Sequence, residues 1–130
     1  MNAYKTREFA RLARREKVSD EELGVAIREI EAGRIDADLG AYLIKQRVSQ
    51  GKGGRANSHR AIIATKDGDR IVFLHLFAKS DRASLNSKEL KAYREAAGLL
   101  AGLTWAQVDR LVTAKEWIRI EDDQEQGISE

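Results

Sequence analysis

The chain has 130 residues, with 23 Lys and Arg against 21 Asp and Glu, two His, no Cys and no Pro. At this length roughly two-thirds of the unfolded surface is buried on folding, which suits one domain whose core needs no covalent staples. The missing cysteines exclude a disulfide framework, a thiol nucleophile and a thiolate metal site. Two histidines argue against an all-protein zinc cage, and a formal net charge of +2 by itself points to no partner.

Phe9, Leu12 and Ala13 recur at helical spacing among Arg7, Arg11, Arg14 and Arg15, which predicts a first helix over about residues 5–16. Ser19 and Glu22 then form a capping box, with Val18 and Leu23 at staple positions. It opens a second helix with Leu23, Ile27 and Ile30 on one face and Gly33 as its terminator. The two helices read as a short hairpin. Asp36 and Asp38 follow in what reads as a helix-to-strand turn, where turn chemistry accounts for them.

From Ala41 the period changes to two. Tyr42, Ile44 and Val48 alternate with Leu43, Lys45 and Arg47, a strand with one apolar face and another that ends in two cations. A loop of three glycines and two bases follows over residues 49–58. His59–Thr65 and Arg70–Phe77 read as strands joined by the Asp67-Gly68 turn, the second apolar on both faces and therefore central in its sheet. Asn86 with Glu89 caps a helix reaching about Ala101, where Gly102 ends it, and Thr104 with Gln107 caps another reaching about Lys115. Trp117 to Ile120 alternates briefly, as a short edge strand would. The predicted class is α+β: an antiparallel sheet of three to four strands, helices on one face, an N-terminal helical hairpin and two C-terminal helices.

The charge is unevenly placed. Residues 121–130 hold five acids and no base, so residues 1–120 carry a net charge of +7. The expected organisation is a single domain over 1–120 and a disordered acidic tail over 121–130, which could compete weakly for the basic surface. No acid lies between Asp38 and Asp67, where Lys45, Arg47, Lys52, Arg55, Arg60 and Lys66 supply six bases. Such a stretch reads as an electropositive patch for a polyanion. The N-terminal residues are too charged for a secretory signal, and the longest apolar run, Ile71–Ala78, is too short for a membrane span, so a soluble cytoplasmic protein with no membrane partner is expected.

Gly51-Lys52-Gly53-Gly54 lacks the spacing of a phosphate loop. His75, in a central strand, reads as structural rather than catalytic or metal-binding, and no Ser-His-Asp arrangement stands out. What remains is a set of cations. Lys45 and Arg47 share one strand face, Arg60 opens the next strand, and Lys79 and Arg82 follow the third, with no carboxylate in the first two strands to neutralise them.

LIKQRV, the basic glycine loop, SHRAIIATKDGDRIVFLHLFAKSDRASL and the helix beginning N-S-K-E-L resemble the RelE/HigB branch of the RelE/ParE superfamily of bacterial toxins, in element order over about residues 5–115. The resemblance implies a small RelE-like α+β toxin of a type II toxin-antitoxin system, a ribosome-dependent endoribonuclease that cuts mRNA and is held inactive by a cognate antitoxin, without metal or small-molecule cofactor. It further implies Lys45 as general base if neighbouring cations depress its pKa, Arg47 and Arg60 clamping the phosphate, and Lys79 or Arg82 as acid or second clamp. Lys52 and Arg55 would bind RNA backbone. Two departures touch the acid: Ser80 stands where shorter members carry arginine, and Asn86 near a family tyrosine, for which Tyr93 is a candidate replacement. A ParE-like gyrase inhibitor and a non-catalytic nucleic-acid-binding module remain alternatives. The second is weakened because Leu43–Lys66 contains no aromatic residue for base stacking.

Overall fold

The computed structural model describes residues 2–48, 59–66, 68–78 and 85–121. In chain order its elements are β1 (Asn2–Thr6), α1 (Arg7–Arg15), α2 (Asp20–Glu31), β2 (Ala37–Gly40), β3 (Leu43–Val48), β4 (His59–Lys66), β5 (Arg70–Ala78), α3 (Ser87–Ala101), α4 (Trp105–Thr113) and β6 (Trp117–Arg119). The strands form one sheet in the order β2-β3-β4-β5-β1-β6. All neighbours are antiparallel except β1 and β5, which run parallel with Tyr4 beside Val72.

The α+β class and the four helices agree with the sequence reading, and the sheet is larger and mixed. The expected helix over residues 5–16 divides at Thr6, whose hydroxyl accepts from the Phe9 amide at 3.0 Å. Helix follows that cap and strand precedes it. Five residues of β1 are too few to announce a strand whose partner lies nearly seventy positions away. The strand expected from Ala41 starts at Leu43, because Gly40, Ala41 and Tyr42 all take positive φ values of 82°, 53° and 69° and make the turn between β2 and β3. Tyr42 is therefore exposed rather than on the apolar face. Asp38 belongs to β2, although its carboxylate does accept from the Gly40 amide at 2.8 Å, as turn chemistry predicts.

Helix ends follow local chemistry closely. Both halves of the capping box are present at Ser19/Glu22, Asn86/Glu89 and Thr104/Gln107. Gly33 ends α2 at φ +83°, with its amide bonded to Ile30 O and the Arg34 amide to Glu29 O. That is the paired 5→2 and 6→1 closure of a left-handed terminator.

Helices cover both faces of the sheet, not one. On one side Ile44, Val48, Ala61, Ile63 and Phe73 pack against Phe9 and Ala13 of α1 and Leu23, Ile27 and Ile30 of α2. On the other, Leu43, Ile62, Val72 and Phe77 pack with Ala97 of α3 and Val108 of α4. Each fully buried Leu, Ile, Val or Phe among them contributes about 1.5–3 kcal/mol. α2 buries five residues, whereas α3 and α4 bury one each, so the second layer is held more thinly. β5 lies between β4 and β1 and contributes Ile71, Phe73 and Leu76 to one core and Val72, Leu74 and Phe77 to the other, which explains a strand apolar on both faces. Among the described residues no helix is long and apolar enough to cross a membrane.

Candidate functional site

In the β3–β4 ladder Arg47 lies directly opposite Arg60, and Lys45 opposite Ile62. Ile62 in turn faces His75 on β5, and Arg60 faces Phe77. Opposed residues of antiparallel strands project from the same face. Lys45, Arg47 and Arg60 therefore share the face that carries α3 and α4, as the strand period predicts.

The three cations have different surroundings. Arg47 is exposed. Lys45 is half-buried and lines a cavity of about 170 Å³ with Leu39, Leu85 and Leu90. Among the described residues neither makes an ion pair. Arg60 is largely enclosed, its side chain 12% exposed, with Nε 3.2 Å from Asp36 Oδ2. Its Nη1 is buried and has no acceptor among the described residues. The first two predicted strands do lack carboxylates, but one from outside them, Asp36, neutralises Arg60. Asp36 immediately precedes β2, on the far side of β3 from β4, so the ion pair crosses β3. Gln46 fixes that approach: its Oε1 accepts from the Asp36 amide at 3.0 Å and its Nε2 donates to Arg34 O at 2.9 Å.

His75 and Tyr93 complete the row that starts at Lys45. Their rings stack with centroids 5.8 Å apart and planes at 29°, and the Phe77 ring lies 6.0 Å from His75. The sequence singles out both residues without relating them. α3 is also tied to the β2–β3 hairpin, where Arg94 Nε donates to Leu39 O at 2.7 Å.

Lys52, Arg55, Lys79 and Arg82, the glycine-rich stretch 49–58, Ser80, Asp67 and the acidic residues 122–130 lie outside the described residues. A further interaction beside the site is also invisible to sequence reasoning. His59, buried, points to the α1–α2 face, where its Nε2 lies 3.0 Å from Glu16 Oε1. The partners are 43 positions apart, and no periodicity relates a strand's first residue to a helix's C-cap. Among the described residues no group of three His, Cys, Asp or Glu is placed to hold a metal ion. Arg34, outside the cluster, has its pKa raised by a hydrogen bond from its guanidinium to Glu29 and by that carboxylate's charge.

The arrangement suits binding and polarising a phosphodiester: two opposed guanidinium groups, an amine two positions along the same strand face, and one carboxylate holding the more buried arginine. A family model described as RelE toxin of RelE / RelB toxin-antitoxin system matches residues 1–120. No curated protein matches the chain.

Proposed function

The chain belongs to the RelE toxin family, and from that premise we propose that this toxin of a toxin-antitoxin system is a metal-independent, ribosome-dependent mRNA endoribonuclease acting in the cytoplasm. The observation that carries the reading is the opposition of Arg47 and Arg60 on the strand face that also holds Lys45. Like charges directly opposed on neighbouring strands weaken a sheet, and an anion between them reverses that penalty. In the proposed reaction the Lys45 amine takes the ribose 2′-OH proton and the 2′-oxygen attacks the adjacent phosphorus. Arg47 and Arg60 hold the charge that develops on the phosphorane, and the 5′-oxygen leaves with a proton from Lys79 or Arg82. The products are a 2′,3′-cyclic phosphate and a 5′-hydroxyl. Removing one such preorganised donor costs on the order of 10²–10³ in rate. Lys52 and Arg55 hold the messenger or ribosomal backbone, and a cognate antitoxin keeps the toxin inactive.

The double variant Lys45→Ala/Arg60→Ala tests this. Primer extension after induction should find messenger cut within reading frames for the wild type and intact for the variant, with the two circular dichroism spectra superimposing. A variant that still arrests growth and cuts RNA removes these residues from the site. Chromosome damage with intact messenger would instead indicate gyrase inhibition.

A further inference from the structure

His59 is an expensive residue for its position. Its side chain is 5% exposed, Nε2 bonds Glu16 Oε1 at 3.0 Å, and Nδ1 is enclosed without a hydrogen-bond partner among the described residues. An apolar side chain of similar size would fill the space and leave no nitrogen unsatisfied, so burial alone does not account for an imidazole here. What histidine adds is direction, because it ties the first residue of β4 to one atom of α1. The anchor is itself fixed. Glu16 is the C-cap of α1, and its amide bonds Leu12 O at 2.9 Å.

The place of this tie matters. Val48, His59 and Ala78 form the last described rung of the three strands β3, β4 and β5. The next rung inward is Arg47, Arg60 and Phe77. His59 and Arg60 leave the backbone on opposite faces, so a rotation of β4 at its first residue is passed directly to the arginine. A tilt of about 10°, carried to the end of an arginine side chain, moves the guanidinium by about 1 Å, and a misplacement of that size costs on the order of 100-fold in rate.

We propose that the His59–Glu16 hydrogen bond is a positioning device for Arg60, setting the guanidinium from the opposite face of the sheet. The inference rests on the ribonuclease reading. The device acts on the rate of the bound complex and leaves messenger affinity alone.

The test is single-turnover cleavage of mRNA on programmed ribosomes by the full-length toxin. His59→Gln, whose amide nitrogen can reach the Nε2 position, should keep most of the activity. His59→Leu fills the space without the tie, and should lose about 10- to 100-fold in kcat with KM unchanged, at a thermal midpoint no lower than wild type. Glu16→Ala should lose a similar factor, and nothing further when combined with His59→Leu. If His59→Leu misfolds, Glu16→Ala reads the same tie from the other side. The proposal is overturned if either untied variant cleaves at the wild-type rate, if the loss lies in KM, or if His59→Gln is as poor as His59→Leu. Wild-type toxin that cuts no messenger overturns the ribonuclease reading as well, whereas equal cleavage by wild type and untied variants overturns the positioning role alone.

Discussion

Arg47 and Arg60 face one another across the β3–β4 ladder, two guanidinium groups at directly opposed positions of adjacent strands. They are not equivalent. Arg60 is enclosed and paired with Asp36, while Arg47 is exposed and has no ion-pair partner among the described residues. The ladder therefore holds one compensated and one uncompensated cation, and the uncompensated one is the more available to a phosphate.

That asymmetry fixes what Arg47→Gln should do. Removing the exposed charge relieves the cross-strand repulsion and leaves no buried group orphaned, so stability should be unchanged or higher by at most about 0.5 kcal/mol. Messenger cleavage should fall by about 10²-fold or more. Urea unfolding and single-turnover cleavage read the two effects separately. A variant that is destabilised and fully active would show Arg47 to be structural.

Asp36→Asn should move stability and binding in opposite directions. The neutral amide no longer balances the enclosed Arg60, which costs about 1–3 kcal/mol. The same change releases a guanidinium for the RNA phosphate, so KM for programmed ribosomes should fall while the urea midpoint drops. A rise in KM with the same loss of stability would mean that Asp36 supports Arg60 for binding rather than competing with the messenger.

How much of this could be read from the residues follows from the range of the interactions. The capping boxes at Ser19, Asn86 and Thr104 and the terminator at Gly33 are written within four to six positions, and each appears where the residues place it. The shared face of Lys45 and Arg47 needs only the two-residue period of a strand. β1 was illegible because its stability comes from a parallel partner, Ile71 and Val72, far along the chain. β2 was illegible because four residues with aspartate and glycine look like a turn until β3 pairs with them. Missing β2 also hid the Asp36–Arg60 ion pair, since nothing else brings that carboxylate across β3. The His59–Glu16 bond joins two elements on the α1–α2 face and has no local signature.

Arg70 gives a prediction at the other end of the same sheet. It is 2% exposed, its Nη2 donates to Leu103 O in the turn between α3 and α4, and its guanidinium lies 4.7 Å from the centre of the Trp105 ring. Nε and Nη1 are buried without acceptors among the described residues. The stem and planar head thus fasten the thinly held α3–α4 layer to the start of β5, and the charge is poorly compensated where it sits. Volume and charge should separate cleanly on substitution. Arg70→Met keeps most of the packing and removes an expensive buried cation, at the cost of one hydrogen bond and the ring contact. Its urea stability should lie within about 1 kcal/mol of wild type. Arg70→Ala leaves a cavity beneath Trp105 and should lose about 3–5 kcal/mol. Both folded variants should cleave messenger normally, because Arg70 pairs with Lys66 at the far end of β4 from Arg60. A methionine variant as unstable as the alanine one would show that the guanidinium's directed contacts, and not its bulk, hold α3 and α4 on the sheet.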